Sequence, residues 1–215
     1  LIANPPKVSY RDGHYYVFDG QHTLVTRKSM NGGADLPIIC KVYTGLTKEE
    51  EAILFSRQTG VSAPLTAGAK LRAALFGKDA EAIAFLNATE STGLQLGLDS
   101  YRAPWKIICI RTAFKEYKTY GADLYKEALT MLARGWEGDP DSLRSGILQG
   151  MMRFVALYQG EYDPERLVKR LHTVHPMTLV RDEKSLSGTV RYKYMMLILR
   201  TYNGASRRRN LPIKP

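Results

Sequence analysis

The chain has 215 residues, which is enough for one domain or two small ones with a hydrophobic core. Its formal net charge is +10 at pH 7, and this excess of cations favours an anionic partner. The apolar run 195–199 is bounded by Lys193 and Arg200 and is too short to cross a bilayer, so we expect no membrane partner. No secretory signal opens the chain. Because residues 1–6 read like the middle of a domain, we expect further residues upstream of Leu1.

The first 88 residues are predicted to form a small domain of strands and helices. Two apolar runs, 7–10 and 14–18, flank Arg11-Asp12-Gly13, and an Asp-Gly step tolerates the positive φ of a hairpin turn. The other elements predicted in this half are a helix from about 20 to the glycines at 32 and 33, a strand over 37–43, and helices over 47–55, 66–75 and 79–86. Their predicted N-terminal caps are Thr47, in a capping box with Glu50, and Thr66, and Asp79 is predicted to start the last helix.

Residues 104–204 show helical periodicity throughout. Pro104 is predicted to start a helix over 105–117 that is apolar nearly all round and therefore buried. Further helices are predicted over 124–135, from Asp141 to Tyr158, from Pro164, after Pro176 and over 188–202. The predicted fold class is α+β, with a small mixed-sheet domain over 1–88, a boundary near 88–103, a basic helical domain over 104–204 and a basic flexible tail over 205–215.

Cys40 and Cys109 lie in apolar stretches without a partner at metal or redox spacing. We expect free, buried thiols and a reducing, cytoplasmic location. His172 and His175 stand three apart, but no cysteine or carboxylate set completes a zinc site, so no metal site is predicted.

The positive charge is concentrated in the second half of the chain. Residues 1–104 carry 11 Lys and Arg against 10 Asp and Glu, whereas residues 105–215 carry 20 against 11. This asymmetry predicts a nucleic-acid partner bound mainly through its backbone, largely independently of sequence. The alternative is a solvated basic tail and solvated helix faces. The predicted nucleic-acid contacts are Arg191, Lys193, Arg200, Arg207, Arg208 and Arg209.

The most informative local feature is the turn after the second strand. The apolar run ends at Asp19-Gly20, and a helix begins at once with Gln21 and His22. A glycine at such a turn lets a ligand approach the backbone, and the unpaired N–H groups of a helix start attract anions. The turn is therefore a candidate phosphate site.

Residues 19–22, Asp-Gly-Gln-His, match four positions of a DGQHR sequence, with Thr23 in place of the arginine. A second region agrees, with Leu-Phe-Ser-Arg-Gln over 54–58, Pro-Leu-Thr over 64–66 and Lys-Leu-Arg-Ala over 70–73. With these two motifs in this order, residues 1 to about 80 resemble the ParB/sulfiredoxin fold, and more narrowly the ParB-like proteins of the DGQHR type.

In that family the turn holds a nucleotide phosphate, so the resemblance implies a site of Gly20, Gln21, His22 and Thr23, with a nucleoside triphosphate and Mg²⁺ as the implied ligands. Thr23 cannot supply the bidentate fork of the missing arginine. Arg27 lies four residues after Thr23 on the same helical face, and it is the candidate to contact the phosphate in place of the missing arginine. The family's metal-holding asparagine has Gln58 or Ser56 as its nearest counterpart.

Two residues of the turn have ordinary alternatives. Asp19 is either a helix cap or the carboxylate of a catalytic or metal site, and capping is the commoner role. His22 is either a solvated residue or a ligand contact. Gln21 stands where sulfiredoxins carry a cysteine, which argues against thiol-based repair chemistry.

Three functions remain open from the sequence. The first is a ParB-like nucleotide-binding module fused to a basic helical domain, in a DNA-associated protein of a bacterium, phage or mobile element. The second is an enzyme of the same group that hydrolyses a nucleoside triphosphate, transfers a phosphoryl group or cuts DNA, with Asp19 as its candidate catalytic residue. The third is a structural platform for other proteins. No P-loop, Rossmann fingerprint, nucleophile elbow or zinc-protease motif is present in the sequence.

Overall fold

The computed structural model describes residues 4–57, 65–99, 101–205 and 210–214. The chain is an α+β protein, as predicted, with a small three-stranded sheet near its start and a long helical region after it. It divides into two compact units, unit 1 over 1–83 and unit 2 over 84–215. The division falls inside a helix, Ala80–Glu90, ahead of the predicted boundary at 88–103.

The sheet of unit 1 has the order β2-β1-β3. Its strands are β1 (Lys7–Arg11), β2 (His14–Asp19) and β3 (Lys41–Thr44). Strand β1 pairs antiparallel with β2, where Tyr10 lies opposite Tyr15, and parallel with β3, where Val8 lies opposite Val42. Asp12 and Gly13 both have positive φ at the hairpin turn, which confirms the prediction from the Asp-Gly step.

The predicted strand over 37–43 is shorter in the structure. Pairing with β1 begins at Lys41, whose N–H donates to the Pro6 carbonyl at 2.8 Å. Residues before Lys41 would face Pro5 and Pro6, which have no amide hydrogen to donate. The parallel ladder therefore cannot extend towards residue 37.

The helices of unit 1 are α1 (Gln21–Met30), α2 (Lys48–Arg57) and α3 (Ala67–Phe76), and α4 (Ala80–Glu90) contains the division between the two units. The predicted capping box is present: Thr47 N–H donates to Glu50 Oε2 at 2.8 Å, and Glu50 N–H donates to Thr47 Oγ1 at 3.2 Å. Thr66 accepts from the N–H of Ala69, and Asp79 accepts from the N–H of Ala82. Both predicted caps are confirmed, and the predicted helix start at Asp79 is confirmed as well.

Unit 2 contains a two-residue parallel strand pair followed by helices. Its elements are β4 (Gln95–Leu96), β5 (Lys106–Ile107), α5 (Ile110–Trp136), α6 (Ser145–Leu157), α7 (Pro164–Leu171), α8 (Pro176–Asp182) and α9 (Val190–Asn203). A short 3-10 turn, Glu183–Ser185, follows α8. Helix α5 is broken at Gly121, where φ is 79° and ψ is 169°, so the two helices predicted on either side of residue 121 meet there.

The structure differs from the prediction at two helix starts. Pro104 does not open a helix, because Trp105 has a φ of 63° and donates its N–H to the Gly138 carbonyl. Strand β5 follows, and α5 begins only at Ile110. The helix predicted from Asp141 begins only at Ser145, after the cap residue Arg144, whose guanidinium binds the Asp141 carboxylate at 2.7 Å.

The core of unit 2 centres on α6 and α9. Side chains of both helices are fully buried, among them Ile147, Met151, Phe154, Met195 and Ile198. A Cβ atom added to Gly146 or Gly150 would come within 2.3 or 2.4 Å of Tyr194 on α9. These two glycines therefore allow the close approach of the helices.

Residues 210–214 differ from the predicted flexible tail. Leu211 and the Asn203 side chain exchange two hydrogen bonds, of 2.9 and 3.0 Å. Tyr158 OH donates to the Pro212 carbonyl at 2.7 Å, and the Lys214 ammonium binds Glu161. A tail beyond Gly204 with the prolines Pro212 and Pro215 suggested a free segment, but these polar contacts hold residues 210–214 against unit 2.

Both cysteines are free of disulfides, and both are half-buried rather than fully buried. In the part of the chain that the structure describes, no helix combines the length and apolarity that crossing a membrane requires.

Candidate functional site

The turn between β2 and α1 requires a glycine for two independent reasons. Gly20 has a φ of 89°, a conformation that side chains with a Cβ rarely adopt. A Cβ on Gly20 would also lie 2.9 Å from the Cα and 3.0 Å from the Cβ of Pro6. The chain after β2 therefore passes directly over Pro6, and this contact fixes where α1 begins.

The first turn of α1 has no side-chain cap. Gly20 is the cap residue, and the first bond of the helix runs from Leu24 N–H to the Gly20 carbonyl at 3.2 Å. The capping interpretation of Asp19 is wrong, because Asp19 ends β2 and its carboxylate lies 3.2 Å from the Lys7 ammonium. The unsatisfied amides of this turn are available to a ligand.

These amides border a cavity of about 700 Å³ that lies within unit 1. Its lining includes Asp19, Gly20, Gln21, His22 and Thr23 together with Asn4, Pro5, Phe18, Phe55 and Leu65. The side chain of Gln21 turns back and donates to the Val17 carbonyl at 3.3 Å, whereas His22 is exposed. The structure thus brings the five predicted turn residues together on one cavity.

The cavity has both apolar and polar lining residues. Phe18, Phe55 and Leu65 are apolar, and the start of α1 contributes polar groups. Among its described lining residues, Asp19 and His22 are the two titratable side chains, and Asp19 is paired with Lys7. The donors that this cavity offers to an anion are the backbone amides, His22 and the Thr23 hydroxyl.

Two predicted members of the site are not brought to this cavity by the described structure. Arg27 lies in the last turn of α1 and is not among the lining residues. Gln58 lies outside the described residues. Its alternative, Ser56, donates its hydroxyl to the Ile53 carbonyl at 2.7 Å. Within residues 4–57, 65–99, 101–205 and 210–214, no group of three or more His, Cys, Asp or Glu side chains is placed to hold a metal ion.

The predicted nucleic-acid contacts divide into three groups. Arg191 forms an ion pair with Glu116 at 2.5 Å, and Lys193 forms one with Glu183 at 2.8 Å, which argues against either cation as a phosphate contact. Arg200 is exposed and borders a cavity between α7, α8 and α9. The three arginines 207–209 lie outside the described residues.

Sequence reasoning missed the ion pair that holds Asp19. A signal for it was present, since Lys7 and Asp19 open and close the predicted hairpin and therefore face each other across the two strands. It also missed Phe55 and Leu65 as cavity residues, and nothing in the sequence reports that α2 and the start of α3 approach the turn.

One family model matches the entire chain, residues 1–215. The chain belongs to DUF6551, a family of unknown function. The DUF6551 match includes both units, so the turn at Gly20 and the helical region are parts of one family architecture. Comparison with curated proteins gives no match, and comparison with solved structures gives none either.

Proposed function

We propose that unit 1 is a ParB-like module that binds the phosphate of a nucleotide at the Gly20–Thr23 turn. The observation that carries this proposal is the uncapped start of α1 at a glycine whose positive φ and contact with Pro6 disfavour every other residue. A helix start without a side-chain cap leaves its amides to solvent or to a ligand, and here they border a large cavity. The resemblance of residues 19–22 to the DGQHR motif indicates that the ligand is a nucleotide.

The dimensions and lining of the cavity suit a nucleotide. A volume of about 700 Å³ accommodates a base and sugar as well as a phosphate. Phe18 and Phe55 offer apolar surface for a base, while His22 and Thr23 are side-chain donors for phosphate oxygens. Mg²⁺ would enter with the triphosphate.

The test is calorimetric titration of nucleoside triphosphates into the whole chain, with and without Mg²⁺. The variant H22A/T23V removes two proposed ligand contacts, and H14A/T26V removes the same side-chain types at exposed positions away from the cavity. We expect affinity to fall about tenfold or more in the first variant and to stay unchanged in the second, because hydrogen bonds to charged groups contribute about 1.5–3 kcal/mol each. Absence of saturable binding, or equal losses in both variants, would refute the site.

The second part of the proposal is that the basic helical region associates with nucleic acid through backbone contacts. Its support is the charge excess of residues 105–215, with 20 basic side chains against 11 acidic. Because Arg191 and Lys193 are already paired, the proposal now rests on Arg200 and on the three arginines 207–209. Gel-shift measurement with DNA and RNA at low salt tests it directly.

The enzymatic alternative has one observation in its favour, the position of Asp19 on the cavity wall. A carboxylate there would have to hold Mg²⁺ or activate water, yet it is paired with Lys7. We therefore expect phosphate release from bound triphosphate to be as slow with the native chain as with D19N. Turnover lost specifically in D19N would establish the enzyme instead.

A further inference from the structure

Unit 2 contains a second cavity, of about 450 Å³, at the ends of three of its helices. Helices α7 and α9 contribute the arginines Arg170 and Arg200. The loop after α7, helix α8 and the 3-10 turn contribute Thr173, Thr178, Asp182 and Ser185. The cavity thus combines two guanidinium groups with a series of hydroxyls.

These two arginines differ from the basic residues around them. Arg181, Arg191 and Lys193 each bind a carboxylate. Among the described residues, neither Arg170 nor Arg200 has an acidic partner. No carboxylate of the described residues pairs with either charge, although both arginines border one concave surface.

The guanidinium of Arg170 lies close to the end of α9. Gly204, at the end of α9, has a φ of 59°, and a Cβ added there would lie 2.9 Å from the Arg170 guanidinium carbon. The guanidinium therefore lies against the backbone of Gly204. A planar, pre-positioned guanidinium loses less entropy on binding than a mobile lysine and presents paired donors to an oxyanion.

The hydroxyls of the cavity are not equivalent. Thr173 and Ser185 donate to the carbonyls of Arg170 and Asp182, so their hydrogens are already used. Thr178 makes no such bond within the described residues, and its hydroxyl is available. The Asp182 carboxylate is bound by Arg181 at 3.0 Å.

We propose that this cavity binds a phosphate group, with Arg170 and Arg200 as its charged ligands and Thr178 as a hydroxyl donor. The site is separate from the Gly20 turn and does not depend on it. The phosphate belongs either to a small phosphorylated molecule or to a nucleic-acid backbone, and both present the same tetrahedral oxyanion to the arginines.

The test is a titration of the whole chain with inorganic phosphate, in which NMR spectra monitor the amide chemical shifts. A titration with chloride at equal ionic strength is the reference. We expect saturable shifts at the amides of Thr173, Thr178 and Gly204. The variant R170Q/R200Q should bind phosphate about tenfold more weakly or not at all. The matched variant K169Q/K184Q removes two exposed cations of the same region that do not line the cavity, and it should bind as the native chain does.

Equal weakening in both variants would mean diffuse attraction by a charged surface, and it would overturn the proposal. Shifts that fail to saturate, or that occur only around residues 20–23, would overturn it as well while leaving the Gly20 site intact. If R170Q/R200Q does not fold, R200Q alone decides, because Arg200 is exposed.

Two further titrations identify the source of the phosphate. A short single-stranded DNA that shifts the same three amides assigns the site to a nucleic-acid backbone. A nucleoside monophosphate that shifts them, when the DNA does not, assigns it to a small phosphorylated molecule.

Discussion

Arg191 and Glu116, 75 residues apart in the chain, form an ion pair in which Arg191 Nη2 donates to Glu116 Oε1 at 2.5 Å. The Glu116 side chain is 1% exposed, and that of Arg191 is 28% exposed. Glu116 Oε2 and Arg191 Nε are buried without a hydrogen-bond partner in the described structure. The pair joins α5 to α9, but it is incompletely satisfied.

We expect R191M to destabilise the protein by about 3 kcal/mol, because it leaves the Glu116 carboxylate buried without a counter-charge. The double variant E116L/R191M should recover most of this loss, since removing both charges also removes their desolvation cost. Urea denaturation measures both values. K184Q, which removes an exposed cation, is the control and should change the free energy of unfolding by less than about 0.5 kcal/mol. An R191M variant as stable as the native chain would contradict the stabilising role assigned to the Arg191–Glu116 ion pair.

The two glycines of α6 should respond differently to the same substitution. In G146A the new Cβ meets the ring of Tyr194, whereas in G150A it meets the backbone of Tyr194 and Met195 at 2.7 and 2.8 Å. Both variants should lose about 1–3 kcal/mol.

A second substitution separates the two glycines. Y194A should relieve much of the strain in G146A but little of it in G150A, because the backbone atoms remain. Double-mutant cycles by chemical denaturation measure this difference. Equal rescue in both backgrounds would show that the helices are not held in close backbone contact.

Gly20 and Gly33 form a matched pair for testing the turn. Their φ values are 89° and 87°, but a Cβ on Gly33 meets nothing within 4 Å, whereas one on Gly20 meets Pro6. G33A should cost about 1–2 kcal/mol from backbone strain alone, and G20A should cost more. Hydrogen exchange of the β1 and β2 amides reports the stability of unit 1 separately from unit 2. Identical losses of stability in G20A and G33A would contradict a steric effect of Pro6 on residue 20.

Burial of the Cys109 thiol raises its pKa to about 11. A raised pKa keeps the thiol protonated, so at pH 8 only about one molecule in a thousand carries the reactive thiolate. In a C40S background, labelling of Cys109 by a disulfide reagent should be very slow at pH 8 and should rise about tenfold per pH unit towards pH 10. The same protein in urea should react as an ordinary thiol does. Fast labelling of the folded chain would contradict the burial.

For the nucleic-acid proposal, the salt dependence of binding is the quantity to measure. Each neutralised phosphate adds about 0.9 to the slope of log affinity against log salt, so R207Q/R208Q/R209Q should reduce that slope by at most about three. K41Q/K48Q/K70Q, three substitutions in unit 1, should leave the slope unchanged. If the slope is the same in R207Q/R208Q/R209Q as in the native chain, residues 207–209 do not contact the nucleic-acid backbone.

Features that depend on neighbours in sequence were predictable. The hairpin at Asp12-Gly13 and the capping box of Thr47 and Glu50 are defined within four residues, and both form as expected. Strand β5 escaped prediction because it is two residues long and follows a tryptophan with positive φ, a combination without a sequence signature.

Features that depend on distant partners were not predictable. Arg191 and Lys193 look like solvent-exposed cations on a basic helix, because a periodic pattern does not reveal a carboxylate on another element. The convergence of Arg170 with Arg200 is of the same kind. For the candidate site, the sequence indicated the turn but not the walls of its cavity.

The break at Gly121 changes how the charged side chains along α5 interact with the helix dipole. A continuous helix of 27 residues would have one macrodipole, and charges near its middle would interact with neither end. The break divides α5 into two helices, so Lys118 lies near the negative end of the first and Asp123 near the positive end of the second. Both charges then stabilise the segments on which they stand. The break at Gly121 thus places both surface charges, Lys118 and Asp123, where each interacts favourably with a helix end.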